Sequence, residues 1–256
     1  EDWFFKHFDH AARVIIHYML DDSPLLRGRI LDVGCGEGVT DLGVFLRKQP
    51  ELFVGIDIED NFRELPRLMR QYGIPEDVLD PRLIFRQVDA SSLPYPENYF
   101  DVVISWGSLE HVAGGYGGVL REVKRVLKNG GLFFLHPGLY YSSLGHHLGE
   151  FVEEPFAHLT RSEAELKRIV FSVGPKLMDR GGLQYTREDF WRYYSELNKI
   201  TVAGIERELR ELGFEFKKVA VRTEDIVEYN EKLQPYSIQD LATTEIYMSL
   251  VNRKRP

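Results

Sequence analysis

Three glycines at every second position, Gly34, Gly36 and Gly38, follow the apolar run Ile30-Leu31-Asp32-Val33. Such a turn lets a ligand approach the backbone where a side chain would block it, and a helix beginning just beyond, with a candidate cap at Thr40, would aim its free amides at the same spot. This is the geometry of a nucleotide site. Asp57, twenty-three residues past Gly34, ends a second apolar run, Leu52 to Ile58, where a carboxylate can accept both hydroxyls of a ribose. A third run, Leu83 to Val88, ends at Asp89. The bland alternative for either acid is a turn cap, because Asp is common where strands become loops.

A second group carries different chemistry. Four of the eight histidines, His136, His146, His147 and His158, fall within 23 residues, interleaved with Tyr140, Tyr141, Glu150, Glu153 and Glu154. One reading is a general base, His136, His146 or His147, taking a proton from an acceptor hydroxyl. Another is a metal site, although the adjacent His146 and His147 cannot both point one way on a regular element, so no metal is expected from this pair. The third is a polar loop whose histidines bond locally.

The elements that must position these residues alternate. Strands are predicted at 29–33, 52–57, 83–88, 101–106 and 131–136, with helices between them, so the sheet is expected to be parallel with crossovers on both faces. Ligands in such sheets bind at the carboxyl ends of the strands, and Gly34, Asp57, Asp89 and Ser105 all fall there. Ahead of the first strand, apolar residues from Trp3 to Met19 recur at three- and four-residue spacings, which predicts an amphipathic helix. Thr186 and Asp189 form a capping-box variant, a helix follows from about 199, and 214–222 and 245–253 alternate as two late strands. The stretch 224–242 is expected to add a helix over the site.

The segments LDVGCGEG, VGIDI, QVDASSLPYPENYFDVVISWGSLEHV and REVKRVLKNGGLFFL together resemble the successive motifs of the class I S-adenosylmethionine-dependent methyltransferases, over roughly residues 28 to 136. The resemblance implies an α/β fold. It would be Rossmann-like and doubly wound, with a mostly parallel seven-stranded sheet, an antiparallel C-terminal strand and a helical insertion or lid. It implies a single domain over 1–256, divided into an N-terminal helix (1–28), a cofactor-binding core (29–136), an acceptor-site insertion (137–199), and a C-terminal helix with the last two strands (200–256). Its cofactor would be S-adenosyl-L-methionine, converted to S-adenosyl-L-homocysteine.

On that resemblance, Asp32 holds the methionine end of the cofactor, Gly34, Gly36 and Gly38 line it, Asp57 and Ile58 meet the ribose, and Asp89 and Ala90 meet the adenine. Ser105 and Trp106, at the end of the fourth strand, would flank the methionine chain or the methyl acceptor. Glu110-His111 is a pair that is usually structural in this branch. The run YYSSLGHHLGEFVEEPFAHLTRSE resembles an insertion found in a subset of these enzymes, which suggests a small-molecule or sugar-like acceptor, with O-methylation favoured if a histidine base is used.

Bulk properties bound the alternatives. Formal net charge is −8, from 32 Lys and Arg against 40 Asp and Glu, so no global positive field favours a nucleic-acid substrate. A single cysteine, Cys35, excludes an intrachain disulfide framework, and no apolar run is long enough to cross a bilayer. A cytoplasmic protein is expected; the chain does not open on Met, so a leader ahead of Glu1 stays open. Two other function classes compete. A nicotinamide-dependent oxidoreductase should carry G-x-G-x-x-G, but position 39 is Val with Gly38 one place early. A non-catalytic S-adenosylmethionine-binding protein has no sequence feature against it. Oligomeric state is not legible in one chain.

Overall fold

In the computed structural model, which describes residues 2–174 and 185–254, the apolar runs pair as one seven-stranded sheet of order β3-β2-β1-β4-β5-β7-β6. The strands are β1 (Arg29–Val33), β2 (Leu52–Asp57), β3 (Leu83–Gln87), β4 (Phe100–Trp106), β5 (Leu127–His136), β6 (Phe214–Thr223) and β7 (Thr243–Asn252). The first five run parallel, and β7 is antiparallel to both neighbours. The chain order reverses between β1 and β4, the switch point at which a crevice opens beyond the strand ends. The expected sheet is therefore the one observed. Residues 175–184, inside the expected insertion, and the chain ends at 1 and 255–256 lie outside the described residues.

The central strands are nearly all apolar because both faces are covered. Alternate side chains go to opposite faces. Leu31, Val33, Val54, Ile56 and Val103 pack on one side under α4 (Gly117–Val126) and α8 (Val202–Glu211), through Leu120, Val123, Ile205 and Leu209. Ile30, Phe53, Val102 and Ile104 pack on the other under α2 (Val39–Lys48), α3 (Leu65–Gln71) and the N-terminal segment.

That segment keeps the predicted apolar stripe but winds wider than an α-helix: after the short α1 (Trp3–Phe5), Lys6–Ala11 and Val14–Met19 are π-helical. The Phe8 carbonyl instead accepts from the Arg47 guanidinium of α2 (3.1 Å), a long-range bond no local periodicity reports. The α2 cap is also not Thr40. Gly38 occupies that position in the left-handed conformation, and Thr40 lies inside the helix.

Described residues between 148 and 194 build a smaller apolar cluster. Leu148, Phe151, Val152 and Ala157 pack against α6 (Glu163–Ser172) and the aromatic side of α7 (Arg187–Ser195), following the short α5 (Ala157–Thr160). The Thr186–Asp189 capping box forms as predicted. Asn198 ties this segment to the end of β4: its backbone N–H donates to the Glu110 carbonyl (2.7 Å) and its Nδ2 to those of Leu109 and Val112 (2.9 Å each). Within 224–242 the helix is only the short α9 (Ile238–Ala242), whose Leu241 packs with Phe156 and Leu233.

Candidate active site

The glycine turn is held from two directions. From below, the Ser108 hydroxyl donates to the Val33 carbonyl (2.7 Å) and is hydrogen-bonded to the Ser105 hydroxyl (2.7 Å). Gly34, at φ +83°, lies so close that a Cβ there would stand 2.1 Å from the Ser108 Cβ. From the side, Asp57 Oδ2 accepts the Gly36 N–H (2.9 Å) and Oδ1 the Glu59 N–H (3.0 Å). Burial raises the Asp57 carboxyl above its ordinary range, against these two amide bonds that lower it. Gly36 faces open space, with no atom within 4 Å of where a Cβ would be. The turn thus has a packed floor and a clear upper surface beside a carboxylate.

Beneath the turn lies a pair of buried acids. Asp32 is 4 % exposed, Asp41 of α2 is wholly buried, and burial is the first cause that raises both; Asp32 is pushed up to about 6. Two carboxyls in one dry site cannot both ionise cheaply. The pair is hydrogen-bonded side chain to side chain, which lowers Asp32 and raises Asp41, so Asp41 is the one that keeps the proton. A raised carboxyl pKa means that the folded state holds an extra proton between pH 3.8 and about 6. Its contribution is therefore full below that window and lost as pH rises through it. Asp41→Asn is expected to raise stability at pH 8 by roughly 1 to 3 kcal/mol and to leave it nearly unchanged near pH 3, below that window, read by paired thermal unfolding.

The remaining expected cofactor residues divide. Ile58 is 64 % exposed just past Asp57, and Asp89 and Ala90 follow β3 at the same end of the sheet. Asp89 Oδ1 accepts from the Ser91 N–H (2.8 Å) and hydroxyl (2.7 Å), which lowers its pKa; the turn-capping role is the one it fills here. Ser105 is buried under the glycine turn, so it does not line the crevice as expected. Its neighbour Trp106 points to the other face, stacked on His136 (centroids 4.9 Å) and edge-on to Tyr247 (5.6 Å).

The three candidate bases separate as well. His146 has no exposed surface; its Nδ1 accepts the Leu148 N–H (2.9 Å), its ring meets His158, and burial holds it down at about 4. The expectation of a base at His146 is corrected on that ground, since a neutral ring sealed in the insertion cannot reach an acceptor. His136 is also held at about 4 by burial, and neither ring nitrogen has a partner among the described residues. His147, at φ +53°, turns away from His146 and meets His111 (5.0 Å), which in turn meets Tyr193 (5.8 Å). One nitrogen of each of these histidines and a Glu110 oxygen lie within 4.8 Å of one another.

Several positioning residues escape sequence reasoning. Tyr193 of α7 donates to Glu59 (3.0 Å), Arg192 pairs with the same carboxylate (3.0 Å), and Tyr185 donates to Glu37 in the glycine turn (2.9 Å). The segment after β5 therefore reaches back to the ends of β1 and β2. The spacing of polar residues along α7 was the only available signal, and it names no partner.

Residues 31–135 match the family model of the methyltransferase domain, a stretch running from β1 to the end of β5. Residues 31–135 belong to the class I S-adenosylmethionine-dependent methyltransferases. The 27-O-demethylrifamycin SV methyltransferase of Amycolatopsis mediterranei is 36 % identical to this chain over 109 residues, 42 % of this chain and 38 % of that protein. A sterol 24-C-methyltransferase of Gibberella zeae is 31 % identical over 134 residues, 52 % of this chain and 33 % of that one. The chain thus spans about a third of the length of these curated relatives. An S-adenosylmethionine-dependent methyltransferase from Mesorhizobium loti shares the fold at TM-score 0.57 and 18 % identity, covering 95 % of this chain and 99 % of that one. No helix among the described residues is long and apolar enough to cross a membrane.

Proposed function

We propose that this protein transfers a methyl group from S-adenosylmethionine to an oxygen of a small or sugar-like acceptor. The observation that carries the reading is the Asp57 carboxylate bonded to the glycine turn through Gly36, beside a surface that no side chain fills. On this reading Asp57 accepts from the ribose hydroxyls, Ile58 covers the ribose edge, and Asp89 with Ala90 meets the adenine after Asp89 exchanges its Ser91 bonds. Asp32, buried beneath the turn, holds the methionine end through water or the backbone of the turn. Trp106 and His136 flank the methyl acceptor.

The donor supplies an activated methyl on a sulfonium. The chain's own contribution is to bring the acceptor into line with it and to exclude water, which can supply much of the barrier lowering. Tyr185, Arg192 and Tyr193, tied to Glu37 and Glu59, serve as part of the cover. A hydroxyl acceptor must also lose its proton, and the edge formed by His111 and His147 is where that proton is handled. A pairing of polar groups at that edge favours oxygen over carbon, and one relative is named for an O-demethylated substrate.

The test is incubation with carbon-13-methyl S-adenosylmethionine and pooled hydroxylated metabolites. Formation of S-adenosylhomocysteine with label in a methoxy group is expected. Label appearing only on carbon or nitrogen would overturn the oxygen assignment, and donor binding without turnover on any acceptor would favour the non-catalytic alternative.

A further inference from the structure

Glu110, His111 and His147 come from two places far apart in sequence, the turn after β4 and the loop after β5. Nevertheless, one carboxylate oxygen and two imidazole nitrogens converge within 4.8 Å of one another. Each of the three is held by structure outside the cluster. Glu110 is buried, and its Oε2 accepts the Gly138 N–H (2.8 Å). His111 sits in the short turn Leu109–His111, whose carbonyls at Leu109 and Glu110 are gripped by Asn198. His147 stands on a left-handed backbone (φ +53°), and its ring meets His111 whereas that of His146 meets His158.

We propose that Glu110, His111 and His147 bind a first-row divalent cation at the acceptor side of the crevice. Two nitrogen donors and one carboxylate are the donor set suited to zinc, iron, cobalt or manganese, whereas calcium and magnesium prefer all-oxygen surroundings. Three protein ligands leave coordination positions open, and an acceptor bearing a hydroxyl or a vicinal diol is the class that fills them. This part rests on the methyl-transfer reading. The coordinated hydroxyl gives its proton to water, its oxygen forms the bond to the methyl carbon, and the carbon–sulfur bond breaks with its electron pair left on sulfur. His147 then acts through the cation and not as the base itself. Glu110-His111, expected from sequence to be structural, acquires a ligand role, and the partner that the adjacent His146 could not supply is found in His111.

The full chain is stripped with a chelator and titrated with cobalt(II), followed by its visible absorption, and with zinc(II) by calorimetry, with no acceptor present. One equivalent is expected to bind, with affinity lowered at least about 100-fold in His147→Ala and in His111→Gln. S-adenosylmethionine binding is measured in the same samples. It is expected to remain saturable in each variant, which also shows that the variant is folded. No stoichiometric binding by the wild-type chain, or binding that survives both substitutions, overturns the proposal. Donor binding with no metal binding rejects the cation alone, whereas metal binding without donor binding rejects the methyl-transfer reading while leaving the site.

Discussion

Asp57→Ala is expected to weaken S-adenosylmethionine binding by roughly 10- to 150-fold, the equivalent of about 1.5 to 3 kcal/mol for losing a charged partner of two hydroxyls. The carboxylate has two duties here. It would accept from the ribose, and it already accepts the Gly36 and Glu59 N–H groups, so its removal also loosens the turn. Asp57→Asn separates the duties: its amide oxygen can keep one backbone bond while the charge is lost. Calorimetric titration of all three proteins, beside their thermal unfolding, should place the asparagine variant close to wild type in stability and well below it in affinity. Equal affinity across the three would remove Asp57 from the site.

The glycines give the second large effect, and they should differ in kind. Gly34→Ala would set a methyl 2.1 Å from the Ser108 Cβ at φ +83°, a collision with a side chain that is itself bonded to Val33 and Ser105. Overpacking against a fixed neighbour, plus left-handed strain, is expected to cost on the order of 3 kcal/mol or more and to leave little folded protein. Gly36→Ala meets no atom within 4 Å, so its cost should be only the left-handed backbone, about 1 to 2 kcal/mol. Its methyl would nevertheless occupy the clear surface above the turn. The expected result is a folded protein whose donor affinity falls at least about tenfold. A Gly36→Ala protein that binds the donor as wild type does would show that the donor does not lie over that surface.

Most of the sheet was legible because its signals are local. Continuous apolar runs bounded by turn residues gave β1 through β4 within a residue at either end, and the thr-x-x-asp spacing at Thr186 gave the start of α7. Where β5 begins was not legible. The strand starts at Leu127, before Asn129-Gly130, because Leu127 pairs with Phe100 across a register shift. Position along a strand also fell short for Ser105 and Trp106: both end at the crevice, but consecutive side chains point to opposite faces, and only the sheet's covering decides which face is open.

The histidines illustrate the same limit in chemistry. Clustering in sequence pointed to His146 and His147 together, yet the ring of His147 meets His111 and that of His146 meets His158. The ring that His147 meets belongs to His111, 36 positions earlier, and their meeting depends on how the segment after β5 folds back under Asn198. The buried Asp32–Asp41 pair was half legible, since Asp41 reads as an ordinary first-turn acid until the register of α2 on the sheet turns it inward.

The most direct measurement is calorimetric titration of S-adenosylmethionine, and separately NADH, into the purified chain, with Asp57→Ala as the paired control. Saturable binding of the former at one site, weakened in the variant, with none of the latter, is the predicted result. Absence of S-adenosylmethionine binding by protein shown to be folded, or preference for NADH, would contradict the assignment of the glycine turn and Asp57 to a methyl donor.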